Sequence, residues 1–191
     1  MLQGESTRSM KGLVTALVLA AAFASVVAGC GGKSAEEEWA GNVCTDVANW
    51  QSQVKTATSN ISTALQSPGS GTVSTVSTQV QAALNATREL ATNLKGDKPP
   101  STDEGQQAKQ QIDSLATQLQ STAAKAKQTA GSVPDGASAS EAAQALSSLA
   151  GDFRSLSEQV SSTLSSVEAS SSKLKEGFDK ADSCKQFRSS S

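Results

Sequence analysis

The chain has 191 residues with 16 basic and 18 acidic side chains, a formal net charge of −2, three cysteines, two tryptophans and neither histidine nor tyrosine. Without histidine and tyrosine the commonest general acids, bases and zinc ligands are missing, so an enzyme is not expected and no cofactor or metal is called for. The charges are scattered, with no lysine or arginine stripe to track a phosphate backbone, and nucleic acid is not an expected partner.

Arg8 and Lys11 precede an apolar run from Leu13 to Ala28 that ends in small residues, the layout of a secretory signal peptide. The run is shorter than the about 20 residues a spanning helix needs, which favours cleavage over retention in the membrane. Val27-Ala28-Gly29-Cys30 resembles the lipobox of bacterial lipoproteins, whose cysteine is lipidated and becomes the first mature residue. The resemblance implies residues 1–29 as a signal peptide and a lipid on Cys30 at the outer face of the cell membrane; 30–35 then reads as a tether and 36–188, from its apolar stripes, as a helical bundle domain. Acyl chains contribute about 0.8 kcal/mol per buried methylene, and two or more of them hold a protein on a bilayer. Conventional cleavage is the alternative, but it leaves Cys30 as an odd thiol outside the cytosol, whereas lipidation leaves Cys44 and Cys184 as an even pair.

Removing the signal takes Arg8 and Lys11 from the 16 basic residues and Glu5 from the 18 acidic ones, leaving 14 and 17. The remaining chain of about 160 residues suffices for one domain, with a thin core drawn largely from Ala, Val, Leu, Ser and Thr.

Ser34, with Glu37 three residues on, reads as a helix N-cap, and Glu36-Glu37-Glu38 complements the positive end of the helix dipole rather than binding a cation. Val43, Val47, Trp50, Val54, Ala57, Ile61 and Ala64 then recur in steps of three and four, one apolar stripe ended by Ser67-Pro68-Gly69. A second stripe runs Val73, Val76, Val80, Ala83, Thr87, Leu90, Leu94 and stops at Gly96. Pro99-Pro100 mark a turn, after which Asp103 and Glu104 open a third helix with Ala108, Ile112, Leu115, Leu119, Thr122 and Ala126 on its apolar face. Gly131 to Ser140, containing Pro134-Asp135-Gly136, is the next break.

The last segment carries Ala142, Leu146, Leu149, Phe153, Leu156, Val160, Leu164, Val167, Leu174, Phe178 and Ala181 in nearly continuous heptad phase. As one helix it spans about 67 Å at 1.5 Å per residue and overshoots its partners; the alternative is a bend near Gly151. Unbroken phase favours the continuous helix. The expected fold is therefore all-α, an antiparallel up-down-up-down four-helix bundle with a long last helix, preceded by a cleaved signal peptide. The abundance of Ser and Thr argues for a stalk or linker, but linkers do not keep four stripes in phase. Asn60-Ile61-Ser62 and Asn85-Ala86-Thr87 match the N-glycosylation pattern; both are discounted, since a lipobox implies a bacterium and Ile61 sits on the apolar face.

Cys44 near the start of the first helix and Cys184 near the end of the last are neighbours in such a bundle and are expected to form a structural disulfide. With 44 opposite 184 in antiparallel helices, Val47 meets Ala181, Trp50 meets Phe178, Val54 meets Leu174 and Ile61 meets Val167, apolar against apolar at each level. Closing a loop of about 140 residues removes about 5 kcal/mol of unfolded-chain entropy in the simple treatment. Trp39 reads either as an exposed anchor for a membrane or partner, or as a cap on the bundle end, and the cap is the preferred reading.

Trp39-Ala40-Gly41-Asn42-Val43-Cys44 with Trp50, Gly105-Gln106-Gln107-Ala108, and Gly177-Phe178-Asp179-Lys180-Ala181-Asp182-Ser183-Cys184 together resemble a group of actinobacterial envelope proteins. The likeness covers most of the mature chain and carries structural motifs only; it implies the Cys44–Cys184 pair and no activity. Two functions are expected to compete. One is a tethered, non-enzymatic binding or structural module that meets an envelope protein or a wall polymer. The other is a small-ligand carrier, which requires a pocket above about 300 Å³ lined by Leu146, Leu149, Phe153 and Leu156.

Overall fold

A computed structural model of the protein describes residues 32–67, 71–132 and 139–188, and within them every regular element is helical. Four long helices, α1 (Ala35–Gln66), α2 (Thr72–Gly96), α3 (Asp103–Gly131) and α4 (Ala139–Ala169), are followed by α5 (Ser172–Lys180), a 3-10 turn (Asp182–Cys184) and the short α6 (Lys185–Arg188). The segment up to residue 31, with Cys30, lies outside the described residues, as do Pro68 to Ser70 and residues 133–138.

The helix starts follow from their caps. Ser34 Oγ accepts from the Glu37 amide at 3.1 Å, and Thr102 Oγ1 from the Gly105 amide at 3.0 Å; each satisfies one of the four amides a helix leaves unpaired at its start. α2 begins at Gly71 without a side-chain cap, and Val73, the first residue of its expected stripe, is exposed.

The stripes become the core. Val43, Val47, Trp50 and Ala57 of α1, Val76 to Leu94 of α2, Ala108, Ile112, Leu115, Leu119 and Ala126 of α3, and Leu149 to Val167 of α4 are buried at the expected spacing. Ala86, Ala91, Ala116 and Ala123 are buried beside them; their small side chains cost little entropy to order and let neighbouring helices approach. Trp50 meets Thr87, Asp46 meets Asn93 and Asn60 meets Gln79. As one residue number rises the other falls, so α1 and α2 run antiparallel. Among the described residues Thr87 is the one fully buried polar side chain. It is satisfied twice, accepting from Trp50 Nε1 at 3.1 Å and donating to the Ala83 carbonyl at 2.8 Å, as buried polar groups require.

The end of the chain differs from expectation. The long last helix breaks, and it breaks at Ser170–Ser171 rather than at Gly151, which lies inside α4 with open space around it. Ser170 turns back, its hydroxyl donating to the Val167 carbonyl at 2.7 Å, and Ser171 caps the new helix by accepting from the Leu174 amide at 3.1 Å. Hydroxyls that bond the local backbone compete with helix continuation, and here they win. The returning segment then follows α1 in the same direction: Gly177 sits at Glu36, Phe178 at Trp39, Ala181 at Gly41 and Cys184 at Cys44. The expected antiparallel pairing of Trp50 with Phe178 is thus wrong. Trp50 faces Thr87, while Ile61 shares a cavity wall with Leu149 and Phe153 rather than with Val167.

Candidate functional site

The end of the domain that holds the start of α1 is built around the disulfide. Cys44 lies in the third turn of α1, where the apolar stripe buries it, and Cys184 ends the 3-10 turn after α5. Their α-carbons are 5.1 Å apart and the sulfurs are bonded, a separation that a disulfide spans. Both expected cysteines are therefore brought together, though by a parallel return rather than by an antiparallel helix. Ser183 Oγ donates to the Gly41 carbonyl at 2.8 Å beside the bond.

Trp39 is 2% exposed and meets Phe178 edge to face, with centroids 6.2 Å apart and planes at 90°, an arrangement that aromatic quadrupoles favour. It caps the bundle end, and the reading of it as an exposed anchor is excluded. Two glycines singled out in the sequence acquire reasons. A Cβ on Gly177 would stand 2.7 Å from the Glu36 carbonyl carbon, and one on Gly105 would collide with the Pro100 carbonyl oxygen; only glycine permits either approach.

Two of the hollows among the described residues bear on ligand binding. The first, about 300 Å³, opens between α1, α2 and α4 at the opposite end of the domain and is lined mainly by Ile61, Leu65, Val80, Ala83, Leu149 and Phe153. Of the four residues expected for a carrier pocket, Leu149 and Phe153 line it. Leu156 is buried in the core instead, and the Leu146 side chain lies outside the description. The second hollow, about 600 Å³, borders the disulfide between α1, α4, α5 and α6 and is more polar. No sequence signal points to it, because it exists only where the returning segment closes over α4.

A cluster of acidic residues lies near the α2–α3 turn. Asp46 Oδ1 accepts from Asn93 Nδ2 at 3.0 Å, and burial above all pushes the Asp46 carboxyl up. Asp97 has a buried oxygen without a partner; burial, and next the charge of Asp46, push its carboxyl up to about 6 against the opposing pull of Lys109. Lys109 is committed to the Lys95 carbonyl, at 3.1 Å, and to Asp113, so it serves the C-terminal end of α2. The described residues contain no group of three or more acidic or cysteine side chains able to hold a metal ion, and no helix among them is long and apolar enough to cross a membrane. Comparison with known protein families, curated proteins and solved structures finds no match.

Proposed function

We propose that the protein is a membrane-tethered, extracytoplasmic helical-bundle lipoprotein, a non-enzymatic binding or structural module of the cell envelope, of the kind its motifs share with actinobacterial envelope proteins. The observation that carries this reading is the Cys44–Cys184 bond. A structural disulfide suits a chain outside the reducing cytosol, and with these two thiols spent the third, Cys30, is the one left for a lipid. The bond also fixes the C-terminal segment beside the start of α1, a few residues from the tether. In this reading the four long helices form an up-down-up-down bundle, supported by the antiparallel run of α1 against α2 and by the short α2–α3 connection. The membrane is met through the lipid, and the partner is an envelope protein or a wall polymer. Fractionation of intact cells tests it: the protein should sediment with membranes, Cys30→Ala should release it, and crosslinking before lysis should capture its envelope partner. A Cys30→Ala chain that stays with the membrane unchanged sinks the proposal.

The small-ligand carrier is the second reading, and the apolar hollow of about 300 Å³ favours it. That volume stands at the lower edge of ligand sites. A solvatochromic apolar dye should brighten on binding there and lose the effect in Ser62→Phe, which plugs the mouth from an exposed position. Equal brightening in both chains removes this reading.

A further inference from the structure

We propose that the hollow beside the disulfide binds a neutral saccharide unit. The proposal rests on reading the domain as a binding module, and it names the chemistry of what is bound. The hollow measures about 600 Å³, in the middle of the range of small-molecule sites and enough for a mono- or disaccharide. Gln51 of α1 and Ser157, Ser161 and Ser165 of α4 line it. Among the described residues none of these four side chains is spent on a hydrogen bond within the protein, whereas Thr56, Thr63, Thr78, Thr92 and Thr117 each donate to the carbonyl four residues back.

Apart from Glu168, the polar side chains in the hollow are the hydroxyls of Ser157, Ser161 and Ser165 and the carboxamides of Gln51 and Gln186. Hydroxyls and carboxamides both donate and accept, which matches a ligand whose own groups are hydroxyls. The charged side chain in the lining is Glu168, whose Oε1 lies 3.6 Å from a Lys175 Nζ that also holds Asp179 at 3.2 Å, and no lysine or arginine among the described residues lines the hollow, so an anionic ligand finds no cation there. A wholly apolar ligand would strip water from the hydroxyls and return nothing, at a cost per unpaired group of about 1–3 kcal/mol. Phe187, half-buried on α6, supplies the remaining element: an aromatic ring on which the C–H face of a pyranose can lie. The wall bearing Phe187 is held in place by the Cys184 bond to α1, so the site exists only in the oxidised fold.

The test uses the full chain in a detergent without a sugar headgroup. Saturation-transfer NMR with cellobiose, maltose and N,N′-diacetylchitobiose should show transfer to at least one disaccharide, and sedimentation with purified cell-wall polysaccharide tests the polymer-embedded form. Ser161→Trp, which fills the hollow from an exposed helix position, and Phe187→Ala, which removes the platform, should each weaken binding at least tenfold while the far-ultraviolet circular dichroism stays unchanged. Binding to the polymer alone supports the site with the wall as the source of ligand. Absence of binding to every disaccharide and to the polymer overturns it, as does binding that both variants leave intact. A lipid found on Cys30 alongside such a failure removes this site and leaves the tethered module standing.

Discussion

Gly177 has no side chain because the backbone of Glu36 occupies the place where one would be, 2.7 Å from an added Cβ. Gly177→Ala must push α5 off α1, and overpacking of this kind costs about 1–3 kcal/mol; urea denaturation measures it, and a cost below about 0.5 kcal/mol would contradict the close approach. Asp97 makes a different prediction, about pH. Its folded pKa of about 6 stands above the ordinary 3.8, so between those values the folded state keeps a proton the unfolded state has lost. The carboxyl's penalty is absent below about pH 4 and fully present above about pH 6, and stability falls as pH rises through that window. The group is half-buried, so screening reduces the penalty to about 1 kcal/mol. Asp97→Asn should therefore add about 1 kcal/mol at pH 7 and flatten the profile between pH 4 and 6, read from urea midpoints across the range. An unchanged slope would place the titration elsewhere.

The break after α4 is a device of two serines. Ser171→Ala removes the hydroxyl that accepts from the Leu174 amide, a loss of about 1 kcal/mol for a helix cap, and thermal melts should show it; a variant as stable as the parent would mean that α5 does not depend on its cap. The four long helices were legible in the sequence because each keeps three-and-four spacing, bounded by Ser34, Gly96, Thr102 and Gly131. The return of α5 was not, although its trace is present: the stripe jumps from Val167 to Leu174 and leaves serine at 170 and 171, where a continuous helix would bury an apolar side chain. Heptad phase on both sides of the gap concealed it, since phase records which face is apolar and says nothing of direction. The cysteine pair was legible although its surroundings were not. Parity and position fix the bond, while Phe178 meeting Trp39 and the hollow above them depend on a reversal that periodicity cannot express.

In the molecule as a whole, the returning segment is attached to α1 by one covalent bond, an aromatic pair, a glycine contact and the Ser183–Gly41 hydrogen bond, and the covalent bond outweighs the others. Replacing both cysteines by serine, which avoids an odd thiol, should cost about 2–5 kcal/mol. The effect belongs with Trp39 rather than Trp50, since Trp39 touches Phe178 while Trp50 is held by Thr87. Tryptophan emission should shift on reduction in the parent and stay unshifted in Trp39→Phe; a shift that survives that substitution would place the moving segment against Trp50 after all. In the proposed reading a lipid on Cys30 sets the location from which this end of the domain acts, and both the lipid and the disulfide would be written in the mass of the mature protein. Intact mass spectrometry of protein purified from membranes of a lipoprotein-processing bacterium reads them together. The account predicts a chain beginning at Cys30, heavier by its acyl groups and lighter by the two hydrogens lost in the Cys44–Cys184 bond; an unacylated chain, or one beginning at any other residue, would contradict it.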